Sequence, residues 1–424
     1  MQARHRVSRR NQYAPSNRNT TAIFVSYKWK NGVGVLGFDK AGVSGKRWEW
    51  DMKNSLNMVE PLNVGIIGCG NIFGAYGKGC GLFRALNLRA CADLNVEAAR
   101  ARASEFSIEA KSVPELLEDP NIDLIINLTI PKVHADVSRQ ILEAGKHVYS
   151  EKPLAVTAQE GGEVLALARE KNLRVGCAPD TFLGAGLQTC RKLLDDGLIG
   201  RPLAGSAFML SRGPESWHPN PAFFYQKGGG PMMDMGPYYV TALVHLLGPV
   251  KAVSAITSRD RSERLATCKE RFGEMLPVEV PTHYSGSLLF ENGAVVTMSV
   301  SFDVVAHGHK PIEIYGSEGS LGAPDPNTFG GPVNLYRREA QEWKDMPLLF
   351  GYKENSRSIG VADMAHAIRS GRPHRCDGAM ALHALEVMEA FESSHQGRQW
   401  IEISTPCARP AAFPLGLTAG VLDA

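Results

Sequence analysis

The stretch LNVGIIGCGNIFGAY, Leu62 to Tyr76, constrains the fold of this chain more than any other. A short apolar, β-branched run ends in a glycine turn and passes straight into a helical pattern. Such a strand needs partners on both edges and cover on both faces, and the following chain supplies them. LRACADL reads as a second strand, followed by the helical SVPELLED, the apolar IDLIINLTI, the helical PKVHADVSRQILEAGK, the strand HVYSE, the helical TAQEGGEVLALAREKN and the strand LRVGCAPD. Strand and helix alternating in this rhythm specify an α/β fold with a doubly wound parallel sheet, which binds ligands at the C-terminal ends of its strands.

The glycines carry the first functional expectation. Gly68 and Gly70 stand where a dinucleotide-binding turn needs a tight bend, and where backbone N–H groups, with Asn71 and Ile72, can approach a pyrophosphate at a helix N-terminus. The third position of that fingerprint is Phe73, followed by Gly74, a departure from the usual glycine or alanine. Asp93 follows Gly68 by a little over 20 residues, placed to accept hydrogen bonds from ribose hydroxyls. Its charge repels a 2′-phosphate, and Leu94 and Asn95 offer no arginine to hold one, so NAD is expected rather than NADP. A helix N-cap is the plain alternative for Asp93. Two further strand ends, Asn127 to His134 (with Thr129, Pro131 and His134) and Ser150 to Val156 (with Glu151 and Lys152), are expected to line the nicotinamide half of the cleft.

At 424 residues the chain is long enough for two domains, each with its own core. Its 44% hydrophobic and 21% charged residues suit a soluble enzyme, expected in the cytoplasm. No apolar run approaches the roughly 20 residues of a membrane span. The eight cysteines are scattered without a C-x-x-C pair and read as free, mostly buried thiols. His307-Gly308-His309 is the nearest thing to a metal motif and lacks carboxylates, so no metal is expected. Before Met58 there are 11 basic and 3 acidic residues, a net +8; the whole chain is +2, so the remainder is −6 and gives no support for a nucleic-acid partner. Residues 1–57 are transit-like in composition and contain a possible hairpin with an Asn-Gly turn. The preferred reading is an upstream start before a domain headed by Met58, with no chemistry assigned to the extension.

Beyond Asp180 the pattern changes. After the helical GLQTCRKLLDDGLIG come the strands RPLAGSAFML, VKAVSAITS, YSGSLLF and AVVTMSVSF (joined by Glu-Asn-Gly), KPIEIYG and VNLYRR. They predict a mostly antiparallel sheet with one covered and one open face. The expected boundaries are 58–181 for the nucleotide domain and 182–404 for an α+β substrate domain, with a tail over 405–424. Within the second domain, GGGPMMDMGPYYV spends three glycines, Gly228 to Gly230, ahead of Asp234 and Tyr238. Pro237 predicts a helix starting close to it, with Asp234 near the N-terminus and Tyr238 one turn on along the same face. The glycines would let backbone approach a polyhydroxylated ligand; an N-cap, an interfacial tyrosine and a plain loop form the bland alternative. Asp180 and Trp217 are candidate substrate contacts, with Arg212, His218, Tyr225 and Lys227 nearby in the same upstream loop.

The order GCGN, ACADL, EKPL and GGGPMMDMGPYY resembles the Gfo/Idh/MocA group of glucose-fructose oxidoreductase, inositol dehydrogenase and rhizopine-catabolism proteins, over residues 60 to 400 or so. The resemblance implies NAD(P) in the first domain and a sugar or cyclitol held against the second-domain sheet. It also implies subunits paired through the open sheet face, as a homodimer or homotetramer. It makes Lys152 the catalytic lysine and Asp234 the active-site aspartate, and puts Tyr238 where histidine is commonest. The chemistry is coherent without it: a secondary alcohol losing hydride to nicotinamide needs a proton acceptor, and a tyrosine of pKa about 10 serves only if a cation such as Lys152 favours its phenolate. The leading expectation is an NAD-dependent dehydrogenase of a sugar, glycoside or cyclitol. Two alternatives stand: a hydride-returning epimerase, lyase or glycosidase, and a non-catalytic NAD-binding sugar sensor.

Overall fold

The computed structural model describes residues 23–29, 32–38 and 60–423. In the unit spanning 1–58, Ile23–Trp29 and Gly32–Phe38 pair antiparallel, as the hairpin reading expects, but with Gly32 on the second strand opposite Trp29 and not in an Asn-Gly turn. The start proposed at Met58 lies outside the described residues.

The second unit opens with the parallel sheet. Its strands are β1 (Leu62–Ile67), β2 (Leu86–Ala92), β3 (Glu109–Lys111), β4 (Leu124–Asn127), β5 (His147–Ser150) and β6 (Val175–Cys177), ordered β3-β2-β1-β4-β5-β6 and all parallel. Val64, Ile66, Leu124, Ile125 and Ile126 are fully buried, as central strands covered on both faces must be. The crossover helices are α1 (Phe73–Cys80), α2 (Val96–Phe106), α3 (Val113–Glu118), α4 (His134–Glu143) and α5 (Ala158–Glu170). Serine and threonine capping boxes start α3 and α5, and Asn95 caps α2. The strand order reverses between β1 and β4, which opens the crevice beside the glycine turn.

After α6 (Ala185–Asp195) the chain builds a nine-stranded sheet around α7 (Gly230–Leu247). Its strands are β7 (Pro202–Leu210), β8 (Val250–Ser258), β11 (His283–Phe290), β12 (Val295–Ser301), β13 (Ile312–Gly316), β14 (Gly319–Ala323), β15 (Val333–Arg337), β16 (Trp343–Met346) and β17 (Ile401–Glu402). β9 (Glu263–Leu265) and β10 (Met275–Pro277) form a separate small hairpin. The order β16-β15-β14-β13-β7-β12-β11-β8-β17 is antiparallel throughout except for the parallel β7–β12 pair. One face, with Tyr284, Leu288, Val296, Met298 and Val300, is buried against helices including α7 and α9 (Gly378–Gly397); the other exposes Ile256 and Val295. Between β16 and α9 lies α8 (Ile359–Ser370).

The tail beyond β17 is a packed strap. Phe413 and Leu422 are buried, Arg375 lies over the Phe413 ring at 4.4 Å and pairs with Asp423 at 2.6 Å, and Arg191 donates to Pro410 O. Gly420 then joins both domains, accepting from Arg84 N at 3.1 Å and donating to Tyr352 Oη at 3.1 Å.

Candidate active site

The glycine turn between β1 and α1 fits a dinucleotide. Gly68 has φ +103°, and a Cβ there would stand 2.6 Å from Leu128 O. Gly70 has nothing within 4 Å of a built Cβ, and no side chain caps α1, so its N-terminal N–H groups face an open approach. Asp93 fixes the turn: its Oδ2 accepts from Cys69 N at 2.7 Å and its Oδ1 from Asn95 N at 2.8 Å, leaving lone pairs for ribose hydroxyls. The Asn95 side chain, not Asp93, accepts from the first turn of α2. Arg102 also reaches the turn, a neighbour that reading the residues next to Asp93 did not reveal. Its guanidinium donates to Gly70 O at 3.1 Å and pairs with Glu105 at 2.6 Å.

The two later strand ends form one hydrogen-bonded surface. Thr129 donates to Asn127 Oδ1. His134 is buried, with Nδ1 2.7 Å from Pro153 O and Nε2 2.9 Å from Thr129 O. It ties the Thr129 loop to the Lys152-Pro153 loop from behind, which corrects its expected place facing the cofactor. Burial holds its imidazole below the ordinary range despite those carbonyls, so the neutral ring prevails. Pro131 begins the short 3-10 turn ahead of α4. Glu151 accepts from Tyr76 Oη at 2.8 Å and from Lys152 N at 2.9 Å, and this locks α1 to the lysine loop.

Lys152 and α7 meet at the centre. Lys152 Nζ donates to Asp234 Oδ1 at 2.9 Å and to Asp234 O at 2.6 Å, and sits 5.0 Å from the Tyr238 ring centroid. Burial opposes its charge, but Asp234, Tyr238 and Glu151 hold its ammonium above the ordinary lysine range. An ammonium has three donors, so one N–H remains for a substrate oxygen. Tyr238 is 7% exposed; burial, with Glu151, outweighs the pull of Lys152 and Arg357 and holds its phenol above the ordinary tyrosine range.

The helix carrying Asp234 and Tyr238 begins earlier than Pro237 predicted. α7 starts at Gly230 with Pro231 as its first-turn proline, and Pro237 lies inside it. An internal proline removes the bond to Met233 O and opens the turn, and the neighbouring Asp234 carbonyl is the one Lys152 takes. The glycines meet a need of the chain itself: Gly228 and Gly230 have φ +86°, and a Cβ on Gly229 would stand 2.4 Å from Phe223 O.

The other candidates separate. Asp180 is 1% exposed; its Oδ2 accepts from Gly360 N at 3.1 Å at the head of α8, and burial raises its carboxyl to about 6. It supports the site from inside. Tyr225 is fully buried and bonded to Glu215, which Arg264 of β9 holds at 2.7 Å, so it anchors the loop rather than reaching substrate. Trp217 is 66% exposed and edge-on to His218, while Arg212 and Lys227 are exposed on the same loop. Reading the sequence missed Tyr76 and Arg357. Arg357 lies in KENSRSIG, where nothing marks it as functional. Among the described residues no group of three or more His, Cys, Asp or Glu is assembled to hold a metal, and no helix is long and apolar enough to cross a membrane.

Residues 62–178 match the family profile described as an oxidoreductase family with an NAD-binding Rossmann fold, and residues 187–322 match that of the GFO/IDH/MocA C-terminal domain. The chain belongs to the Gfo/Idh/MocA oxidoreductase family. Relatives within Gfo/Idh/MocA include a levoglucosan dehydrogenase of Pseudarthrobacter phenanthrenivorans, 28% identical over 62% of this chain and 73% of that protein. Another is a 1,5-anhydro-D-fructose reductase of Ensifer adhaerens, 26% identical over 60% of this chain and 73% of that protein. Among solved structures, an NAD-binding oxidoreductase from Klebsiella pneumoniae superposes with TM-score 0.72 at 21% identity, covering 82% of this chain and 100% of that one. A levoglucosan dehydrogenase in complex with NADH gives 0.70 at 23%, with the same coverage. The Gfo/Idh/MocA architecture therefore accounts for both sheets, and the protein is an NAD-binding oxidoreductase.

Proposed function

We propose that this protein oxidises a secondary hydroxyl of a sugar, glycoside or cyclitol. The observation that carries the reading is the Lys152–Asp234–Tyr238 cluster, assembled beside the glycine turn from the strand-end loop of one domain and a helix of the other. Gly68, Gly70, Asn71, Ile72, Asp93 and Thr129 hold NAD, and bound NAD supplies the hydride acceptor. Lys152 directs its remaining N–H at the reacting oxygen and stabilises charge as the O–H breaks. Tyr238 takes the hydroxyl proton as its phenolate, having first released its own proton to solvent, and Asp234 keeps Lys152 in place and accepts from a neighbouring hydroxyl. The dehydrogenase and reductase named among its relatives both act on sugar-like molecules, which supports this substrate class. Two copies pair through the open sheet face, where Ile256 is 70% and Val295 44% exposed, and the enzyme works in the cytoplasm.

The test is absorbance of reduced nicotinamide, with the full chain, NAD or NADP, and a panel of sugars, glycosides and inositols. Activity with NAD and one sugar class is expected, with Lys152→Met and Tyr238→Phe each lowering kcat about 10²–10⁴-fold while NAD still binds. Unchanged turnover in Tyr238→Phe removes it as proton acceptor. Altered sugar without net reduction of NAD identifies the hydride-returning reaction, and binding without any product identifies a sensor.

A further inference from the structure

The turn from α5 into β6 and the loop joining α8 to α9 enclose a cleft of about 380 Å³, at the opposite end of β6 from Asp180. That volume lies within the roughly 300–1,000 Å³ of small-molecule sites. Its apolar lining comes from Leu165, Leu173, Val175 and Pro373. Local structure decides which charges join it. Leu173 N closes α5 on Ala168 O at 2.8 Å, and Asn172 turns the chain with φ +53°. Arg169, in the last turn of α5, and Arg174, at the entry to β6, line the same cleft in consequence, and Arg372 joins them from the loop after α8.

The three guanidiniums differ in their partners. Arg372 pairs at 2.8 Å with Asp363, which Arg375 shares. Arg174 donates one N–H to Arg372 O at 2.6 Å, which holds its guanidinium against the Arg372 backbone. Burial and the charge of Arg372 both oppose the charge of Arg174. Arg169 is exposed. Among the described residues the ion pairs of this region stop at Arg372 and Arg375, and no carboxylate lies within 4.0 Å of Arg169 or Arg174. The other titratable groups lining the cleft are Asp377 and His374. Asp377 is turned to α9, where its Oδ1 accepts from Met380 N at 2.8 Å. His374 has Nε2 3.1 Å from Val175 O, and burial keeps its imidazole below the ordinary range and so neutral. Like charges left without partners repel one another, a cost that a bound anion offsets. Two free charges match a dianion better than a single carboxylate, and planar guanidiniums present paired N–H groups to phosphate oxygens.

We propose that this cleft is a second ligand site of the protein and takes a small phosphate monoester, with Arg169 and Arg174 on the dianion and the organic part against Leu165, Leu173 and Pro373. The cleft shares no residue with the glycine turn or the Lys152 cluster, and its role is independent of the reaction proposed above.

The test is isothermal titration calorimetry of the full chain with phenyl phosphate, in saturating NADH so that the pyrophosphate position at the glycine turn is filled. One site per chain is expected. Inorganic phosphate, without the ring, and benzoate, with a single charge, should each bind at least about tenfold more weakly. Arg169→Gln and Arg174→Gln should each weaken phenyl phosphate about tenfold, while Arg100→Gln, which removes an exposed charge on α2 outside the cleft, should leave it unchanged. Arg169 is at the surface, so its variant keeps the fold and covers the case in which Arg174→Gln does not. No binding of phenyl phosphate, parental affinity in either folded variant, or an equal loss in Arg100→Gln overturns the proposal; benzoate binding as tightly as phenyl phosphate overturns the choice of a dianion. No sugar and no turnover enter the measurement, so its failure is separate from a failure of the oxidoreductase reading, which product formation tests.

Discussion

Asp180 gives the site a pH response of its own. Burial, partly offset by the Gly360 N–H and Arg357, raises its carboxyl from 3.8 to about 6. The folded state therefore binds a proton that the unfolded chain has already released, and stability falls as pH rises from about 4 to about 6. The difference between the two states corresponds to about 3 kcal/mol. Asp180→Asn keeps an acceptor for Gly360 and removes the titration, so its melting temperature should gain on the parent's as pH rises through that window; a constant difference across it would show that Asp180 is not the titrating group. Residues of this kind mark the limit of the sequence. Lys152, Asp234 and Tyr238 were legible because the motif spacings that place them are local. Asp180, His134 and Tyr225 were recognised as polar groups near the cleft, yet which way each side chain turns is decided by packing from distant segments. Arg357 was invisible for the same reason, since Gly79, on which its carbonyl packs, comes from another part of the chain.

Among the elements, strand and helix periodicity reads five of the six parallel strands and most of the antiparallel sheet, while α2 and the short strands β3, β14, β16 and β17 went unread. The misplaced boundary is the start of α7. Two prolines, Pro231 and Pro237, compete for the same first-turn signal, and only tertiary support lets an interior proline stand, at a cost of about 3 kcal/mol in an isolated helix. That support is visible: Gly236 packs against the sulfurs of Met232 and Met388, and Lys152 takes the carbonyl of Asp234. The glycine turn was legible because at Gly68 its geometry tolerates no side chain. Gly68→Ala places a Cβ against Leu128 O in a left-handed backbone, and it is expected to weaken NAD binding at least tenfold, measured by NADH fluorescence, with the far-ultraviolet spectrum retained. Binding at the parent's strength would mean that the turn is not where the pyrophosphate rests.

At the scale of the whole molecule the change of rhythm after Asp180 marks where the parallel sheet gives way to the antiparallel one, but nothing comparable marks the last stretch. It reads as a tail and is in fact a strap, because its anchors are single apolar residues and one acidic residue without periodicity. Asp363 is fully buried beneath Arg372 and Arg375, and Arg375 in turn reaches Asp423. Phe413→Ala removes the ring under Arg375 and should destabilise the protein by about 3–5 kcal/mol, read as a lower midpoint in urea; a loss below about 1 kcal/mol would make the strap a passive covering. Two fastenings, Gly420 between Arg84 and Tyr352 and the Arg357 carbonyl on Gly79, tie the lobes along the edge of α1. Both fastenings act on α1 or the turn that leaves it, and the N-terminus of α1 meets the glycine turn, so a change in the last few residues of the chain is transmitted to the first crossover of the parallel sheet.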